Sequence, residues 1–156
     1  VSLRRGECVL VGIAQAPFIM GLSDGVMKTD VQYKLLTESN CTGYHLPASQ
    51  TINIIEQCQL WREAFCWLAW QNSMLELRDL QLIGNNSYDQ IRATLISMMK
   101  WDDVLRSRIG VMNYIHQRTR ISRSVVAEVL AALRKGGYIE MNKGKLVSIN
   151  RLPFEY

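Results

Sequence analysis

Val125, Val126, Val129, Leu130 and Leu133 recur at helical spacing directly behind Ser122, a residue type that caps helix N-termini. The pattern predicts a helix over residues 122–133 that buries those five side chains. Arg123, Ser124, Ala127, Glu128, Ala131 and Arg134 then lie on the opposite face. Gly136 and Gly137 end it, because glycine accepts the left-handed backbone of a helix C-terminus. Upstream, Ile109, Met112 and Ile115 predict a helix over residues 107–117 with those three inward. Thr119, Arg120 and Ile121 are left as a turn, with Ile121 plugging the angle between the helices. Downstream, residues 138–141 and 145–149 alternate like strands, and Asn142, Lys143 and Gly144 form the tip of a hairpin.

Helix, turn, helix and hairpin in that order describe a winged helix-turn-helix, a shape that lays its second helix in the DNA major groove. On the outward face Arg123 has the planar donor fork that matches guanine O6 and N7. Ser124 can contact bases or phosphate, and the small Ala127 lets the helix approach the groove floor. Glu128 can accept from a cytosine N4 or can repel phosphates and narrow the choice of site. Thr119, Arg120 and Ser122 flank that face, and Lys143 and Lys145 at the hairpin tip are expected to face the phosphate backbone.

Charge is divided in the same way. Residues 104–156 carry ten Lys/Arg against three Asp/Glu, a net +7, whereas residues 1–103 carry eight against eleven, a net −3. A basic C-terminal third on an acidic remainder is the asymmetry expected of a DNA-binding part joined to something else, with affinity drawn largely from counterion release.

The four cysteines, Cys8, Cys41, Cys58 and Cys66, have no metal-type spacing, and the chain has two histidines, His45 and His116. Neither a metal nor a cofactor is expected, and buried reduced thiols are the plain expectation; a redox-sensing cysteine stays open. No Ser/His/Asp set or phosphate-cradling glycine loop suggests an enzyme. No signal peptide or membrane-length apolar run is present, which points to the cytoplasm. Val1 is not a starting methionine and the chain opens in a strand-like pattern, as expected of a fragment lacking an N-terminal segment.

Residues 1–46 read as short strands: 1–3, 8–11, 18–20, 32–36 and 41–46. A turn falls at Arg5–Glu7, a break at Ala16 and Pro17, and a loop over 21–25. Pro47 opens a helical stretch with Ser49 as its candidate cap. A long helix is predicted over residues 60–83. Trp61, Leu68, Leu75 and Leu82 recur every seven residues there, and Leu60, Trp67 and Met74 form an adjacent row. The stripe is wider than packing within one chain needs, which favours a parallel dimer seam on one row and packing on the chain's own strands on the other. Gln71 and Arg78 at the complementary heptad position exclude a simple zipper. Residues 84–87 break the helix as a hinge, and residues 88–99 resume it with Ile91, Leu95 and Met98 on one side.

This order of parts resembles the Crp/Fnr family of bacterial transcription regulators, most specifically through Ile121-Ser-Arg-Ser-Val-Val-Ala-Glu-Val-Leu130. A finer resemblance lies in the segments beginning at Ile83 and Arg106. It is to an enterobacterial branch of that family linked to inhibition of hydrogen-peroxide resistance, and it implies a role in the oxidative-stress response. The resemblance implies an α+β chain in three parts. Residues 1–59 would be a cyclic-nucleotide-binding-like β-barrel without its first strands, 60–86 a long dimerisation helix and hinge, and 87–156 the winged helix-turn-helix. It further implies a homodimer on a near-palindromic duplex, nucleoid association and RNA polymerase as a further partner. Ser122 and Arg123 occupy DNA-contact positions by that match; Ser124 stands where the family usually has Glu, and Glu128 where it often has Arg. The family's cyclic-AMP loop uses Gly-Glu-Leu and then an Arg. Here the segment from Phe18 to Leu22 offers no Glu, no arginine occurs between Arg5 and Arg62, and Lys28 or Lys34 lacks the bidentate grip. The resemblance thus leaves a sensor not expected to bind cyclic AMP. The competing expectation is a protein-interaction module that antagonises a partner without reading DNA.

Overall fold

The computed structural model describes residues 1–5, 9–27 and 33–154. The expected turn residues Gly6 and Glu7, together with Cys8, Lys28 and Gln32, lie outside the described residues. The chain divides into two compact units, Val1–Arg78 and Asp79–Tyr156.

In the first unit β1 (Ser2–Arg5) lies between β2 (Val9–Ile13) and β3 (Tyr33–Leu36) in an antiparallel sheet. Leu3 pairs with Gly12 and Arg4 with Leu10, so Val11 is bulged out of the ladder. Five strands were expected here, as part of a barrel; among the described residues three form, in an open sheet. Residues 18–20 are irregular, and the Ile19 carbonyl is taken by side chains. Trp67 Nε1 and Gln71 Nε2 both donate to the Ile19 carbonyl, at 3.2 and 3.3 Å. Residues 41–46 are exposed throughout and have no buried face on which a barrel strand could pack.

The loop expected at 21–25 is a short helix, α1 (Leu22–Val26), which starts from Gly21 at φ 78° and buries Leu22. It packs on α2 (Ala48–Gln57). The N-cap of α2 is Pro47 rather than Ser49, and the Pro47 carbonyl accepts from both the N–H and the hydroxyl of Thr51. Leu10, Leu22 and Ile55 are the buried apolar side chains of this unit among the described residues. The long helix α3 (Trp61–Leu82) matches its predicted span within a residue at either end, yet none of its residues is buried. Its Trp67 and Trp70 rings meet Phe18 edge-on at 5.0 and 6.0 Å.

The second unit begins with the last turn of α3. Gly84 turns the chain at φ 75°, Asn85 Nδ2 donates to the Leu80 carbonyl, and Asn86 Oδ1 caps α4 (Ser87–Met99) through the Asp89 N–H. Ile91, Leu95 and Met98 of α4 are fully buried, as their spacing predicts. α4 packs on α6 (Val111–Thr119) and on β5 (Lys145–Ile149); α6 packs on α7 (Arg123–Lys135), and α7 on β4 (Ile139–Asn142).

One expected helix is two here. Residues 107–117 are split between α5 (Asp103–Arg108), capped by the Asp102 carboxylate, and α6, because Ile109 and Gly110 are extended. The break rotates the buried face by one position. Val111, Tyr114, Ile115 and Arg118 are buried, while Met112 is exposed and Ile109 half-buried.

Candidate nucleic-acid interface

The turn between α6 and α7 is built from its own side chains. Arg120 caps α6 in the left-handed region at φ 67°. The Thr119 hydroxyl donates to the Ile115 carbonyl and accepts from the Ile121 N–H, at 2.8 and 3.2 Å. His116 Nδ1 lies 2.7 Å from the Ile121 carbonyl and closes the same turn. Ile121 is half-buried in the angle between the helices.

Ser122 caps α7, its hydroxyl accepting from the Val125 N–H at 3.4 Å and lying 3.1 Å from the Ser124 hydroxyl. Val126, Val129, Leu130 and Leu133 are buried. Val125 is exposed, contrary to its expected place in the core, because it lies at the edge of the apolar arc in the first turn. Arg123, Ser124, Ala127, Glu128, Ala131 and Arg134 are all exposed, so the structure brings the outward face together along one continuous edge of α7. Arg134 and Lys135 in the last turn complement the negative end of the helix dipole.

The end of α7 carries two hydrogen bonds that together form a Schellman closure: Tyr138 N–H to the Leu133 carbonyl and Gly137 N–H to the Arg134 carbonyl. Gly137 takes the left-handed position at φ 71°. Gly136 matters for space instead, since a Cβ there would meet the Tyr138 ring at 2.4 Å. The chain then enters the hairpin. Its tip is two residues, Lys143 and Gly144, with φ 46° and 77°, the positive pair that a type I′ turn requires. Asn142, expected in the loop, is the last residue of β4 and pairs with Lys145. Lys143 is exposed at the tip. Lys145 is half-buried, and its ammonium donates to the Arg108 carbonyl at the end of α5.

Sequence patterns did not point to Arg118. This α6 arginine is 8 % exposed, and its Nη2 donates to Gln81 Oε1 of α3 at 2.9 Å. Nη1 reaches the Tyr114 hydroxyl at 3.4 Å, and Nε has no hydrogen-bond partner among the described residues. Tyr114 in turn meets the Trp101 ring edge-on at 4.8 Å. A buried arginine on an otherwise apolar face breaks the hydrophobic period, and that is the signal a sequence could carry for it.

The remaining candidates are dispersed. Of the heptad row on α3, Trp61 and Leu75 are exposed and Leu68 and Leu82 half-buried. Cys41, Cys58 and Cys66 are free and exposed, which corrects the expectation of buried thiols. Among the described residues no group of three or more His, Cys, Asp or Glu is placed to hold a metal ion. No helix among them is long and apolar enough to cross a membrane.

A helix-turn-helix with one fully exposed face on its second helix, followed by a two-stranded wing, is a winged helix-turn-helix DNA-binding domain, and the family described as winged helix-turn-helix DNA binding matches residues 87–154. Over all 156 residues the chain is 79% identical to the inhibitor of hydrogen peroxide resistance of Escherichia coli K12 and to that of Escherichia coli O157:H7, and 76% identical to that of Salmonella typhimurium. It spans 75% of the length of each of these relatives. The chain belongs to this family of inhibitors of hydrogen peroxide resistance. No solved structure matches it.

Proposed function

We propose that the chain is a sequence-specific DNA-binding transcription regulator of Crp/Fnr type that acts in the response to hydrogen peroxide. The observation that carries this reading is the α7 face: six outward positions exposed together, opposite four buried ones, followed by a wing with an exposed lysine at its tip. The name of these relatives supports the link to hydrogen peroxide. In this reading α7 enters the major groove and Arg123 donates to a guanine. Ser124, Ala127 and Glu128 read the neighbouring base pairs, and Ser122, Arg120 and Lys143 contact the sugar-phosphate backbone. Thr119 acts through the turn, since its hydroxyl is already engaged there.

Two copies joined along Trp61, Leu68, Leu75 and Leu82 would present two recognition helices about 34–36 Å apart on a near-palindromic site. The upstream unit does not bind cyclic AMP in this reading. The protein is not an enzyme, uses no cofactor, resides in the cytoplasm on the nucleoid and meets RNA polymerase there.

Selection of bound duplexes from a random library by the full chain tests this. The expected product is an enriched site with two related halves about 10–10.5 base pairs apart, centre to centre. Recovery of duplexes with no shared sequence would remove the regulator reading and favour a module that antagonises a protein partner without reading DNA.

A further inference from the structure

Helix ends leave backbone groups without intrahelical partners. α5 and α6 are separated only by Ile109 and Gly110, so the last carbonyls of one and the first N–H groups of the other border the same short gap. Gly110 caps α6 without a side-chain hydrogen bond. The wing tip supplies what is missing on both sides. The Gly144 carbonyl accepts from the Val111 N–H at 3.0 Å, and the Lys145 ammonium donates to the Arg108 carbonyl. Lys143, two residues before Lys145, is exposed on the turn between β4 and β5.

We propose that Lys145 serves DNA binding as a positioning residue: it docks the wing tip on the α5–α6 junction, so that Lys143 is the tip lysine presented to a phosphate. This rests on the DNA-binding reading above. It divides two lysines that sequence treats alike. A Lys145 ammonium held on a backbone carbonyl is not placed to neutralise a phosphate, whereas the left-handed Lys143 position is kept in place only while the tip is docked.

The test measures affinity of the full chain for a 30-base-pair random-sequence duplex, of about three helical turns, between about 50 and 200 mM salt. One phosphate contact contributes about 0.9 to the slope of log K against log salt, or about three- to fourfold in affinity over that range. Lys143→Met is expected to lower the slope by about 0.9. Lys145→Met is expected to lower it by the same amount, and the double variant by no more than either one, because all three remove a single contact. Hydrogen exchange at the Val111 amide should quicken by about tenfold or more in Lys145→Met. Lys145→Gln, which keeps a donor without the charge, should retain both the wild-type slope and the protected amide. A double variant that loses about 1.8 shows two phosphate contacts and overturns the inference alone. So does a Lys145→Met chain with an unchanged slope. Absence of salt-dependent DNA binding by the wild type overturns the DNA-binding reading and this inference with it.

Discussion

Arg123 stands in the first turn of α7, exposed, one residue after the cap that starts the helix. In the proposed DNA-binding reading a guanidinium there reaches base edges. Arg123→Ala is therefore expected to lose about 1–3 kcal/mol on the selected site and to relax one base-pair position. Fluorescence anisotropy against the site and against random duplex checks this, and equal losses on the two would remove the base-reading role. The outward face of α7 was legible in sequence because a period of 3.6 separates two faces whatever surrounds them. Val125 was not, since its place at the edge of the arc leaves exposure to whichever neighbour covers it. Nor was Lys145, whose flexible stem lets the ammonium reach a backbone carbonyl in a segment distant along the chain.

Among the elements, the last turn of α3 and α6 are joined through Gln81 and Arg118. A guanidinium this deeply buried carries a large desolvation cost that its few hydrogen bonds only partly offset. Gln81→Ala is expected to lower stability to urea by about 1–3 kcal/mol, because it leaves a buried charged donor without its acceptor. Arg118→Met, which removes the charge and keeps the volume, is expected to be neutral or stabilising. A larger loss for Arg118→Met than for Gln81→Ala would show that the guanidinium is worth more than its cost.

Element boundaries were legible where a side chain marks them, as at Ser122 and at the paired glycines. The break at Ile109 and Gly110 was hidden because apolar residues continue at helical spacing on both sides of it. The short N-terminal strands were legible only in part. Alternation over three residues is weak evidence, and the Ile19 carbonyl is taken by side chains of α3 instead of a ladder partner.

Burial is uneven between the two units. Among the described residues, Leu10, Leu22 and Ile55 are the buried apolar side chains of Val1–Arg78. In Asp79–Tyr156, Ile91, Leu95, Met98, Val111, Ile115, Val126 and Leu133 alone make a more extensive core. Since apolar burial supplies most of the stabilisation, backbone amides of α4, α6 and α7 are expected to exchange at least about a hundredfold more slowly than those of β1–β3. Hydrogen exchange of the whole chain followed by mass spectrometry measures the difference. Equal protection in both units would mean that the first is stabilised by something other than the core described above.

The order of helices and hairpin in the winged helix-turn-helix, the charge asymmetry and the exposed face of α7 were determined by the sequence itself, because periodicity, capping residues and local charge act over a few residues. The open three-stranded form of the N-terminal sheet, the split between α5 and α6, the burial of Arg118 and the docking of Lys145 were decided only by tertiary structure. Each depends on which groups meet across tens of residues, and a local pattern does not name a partner at that distance.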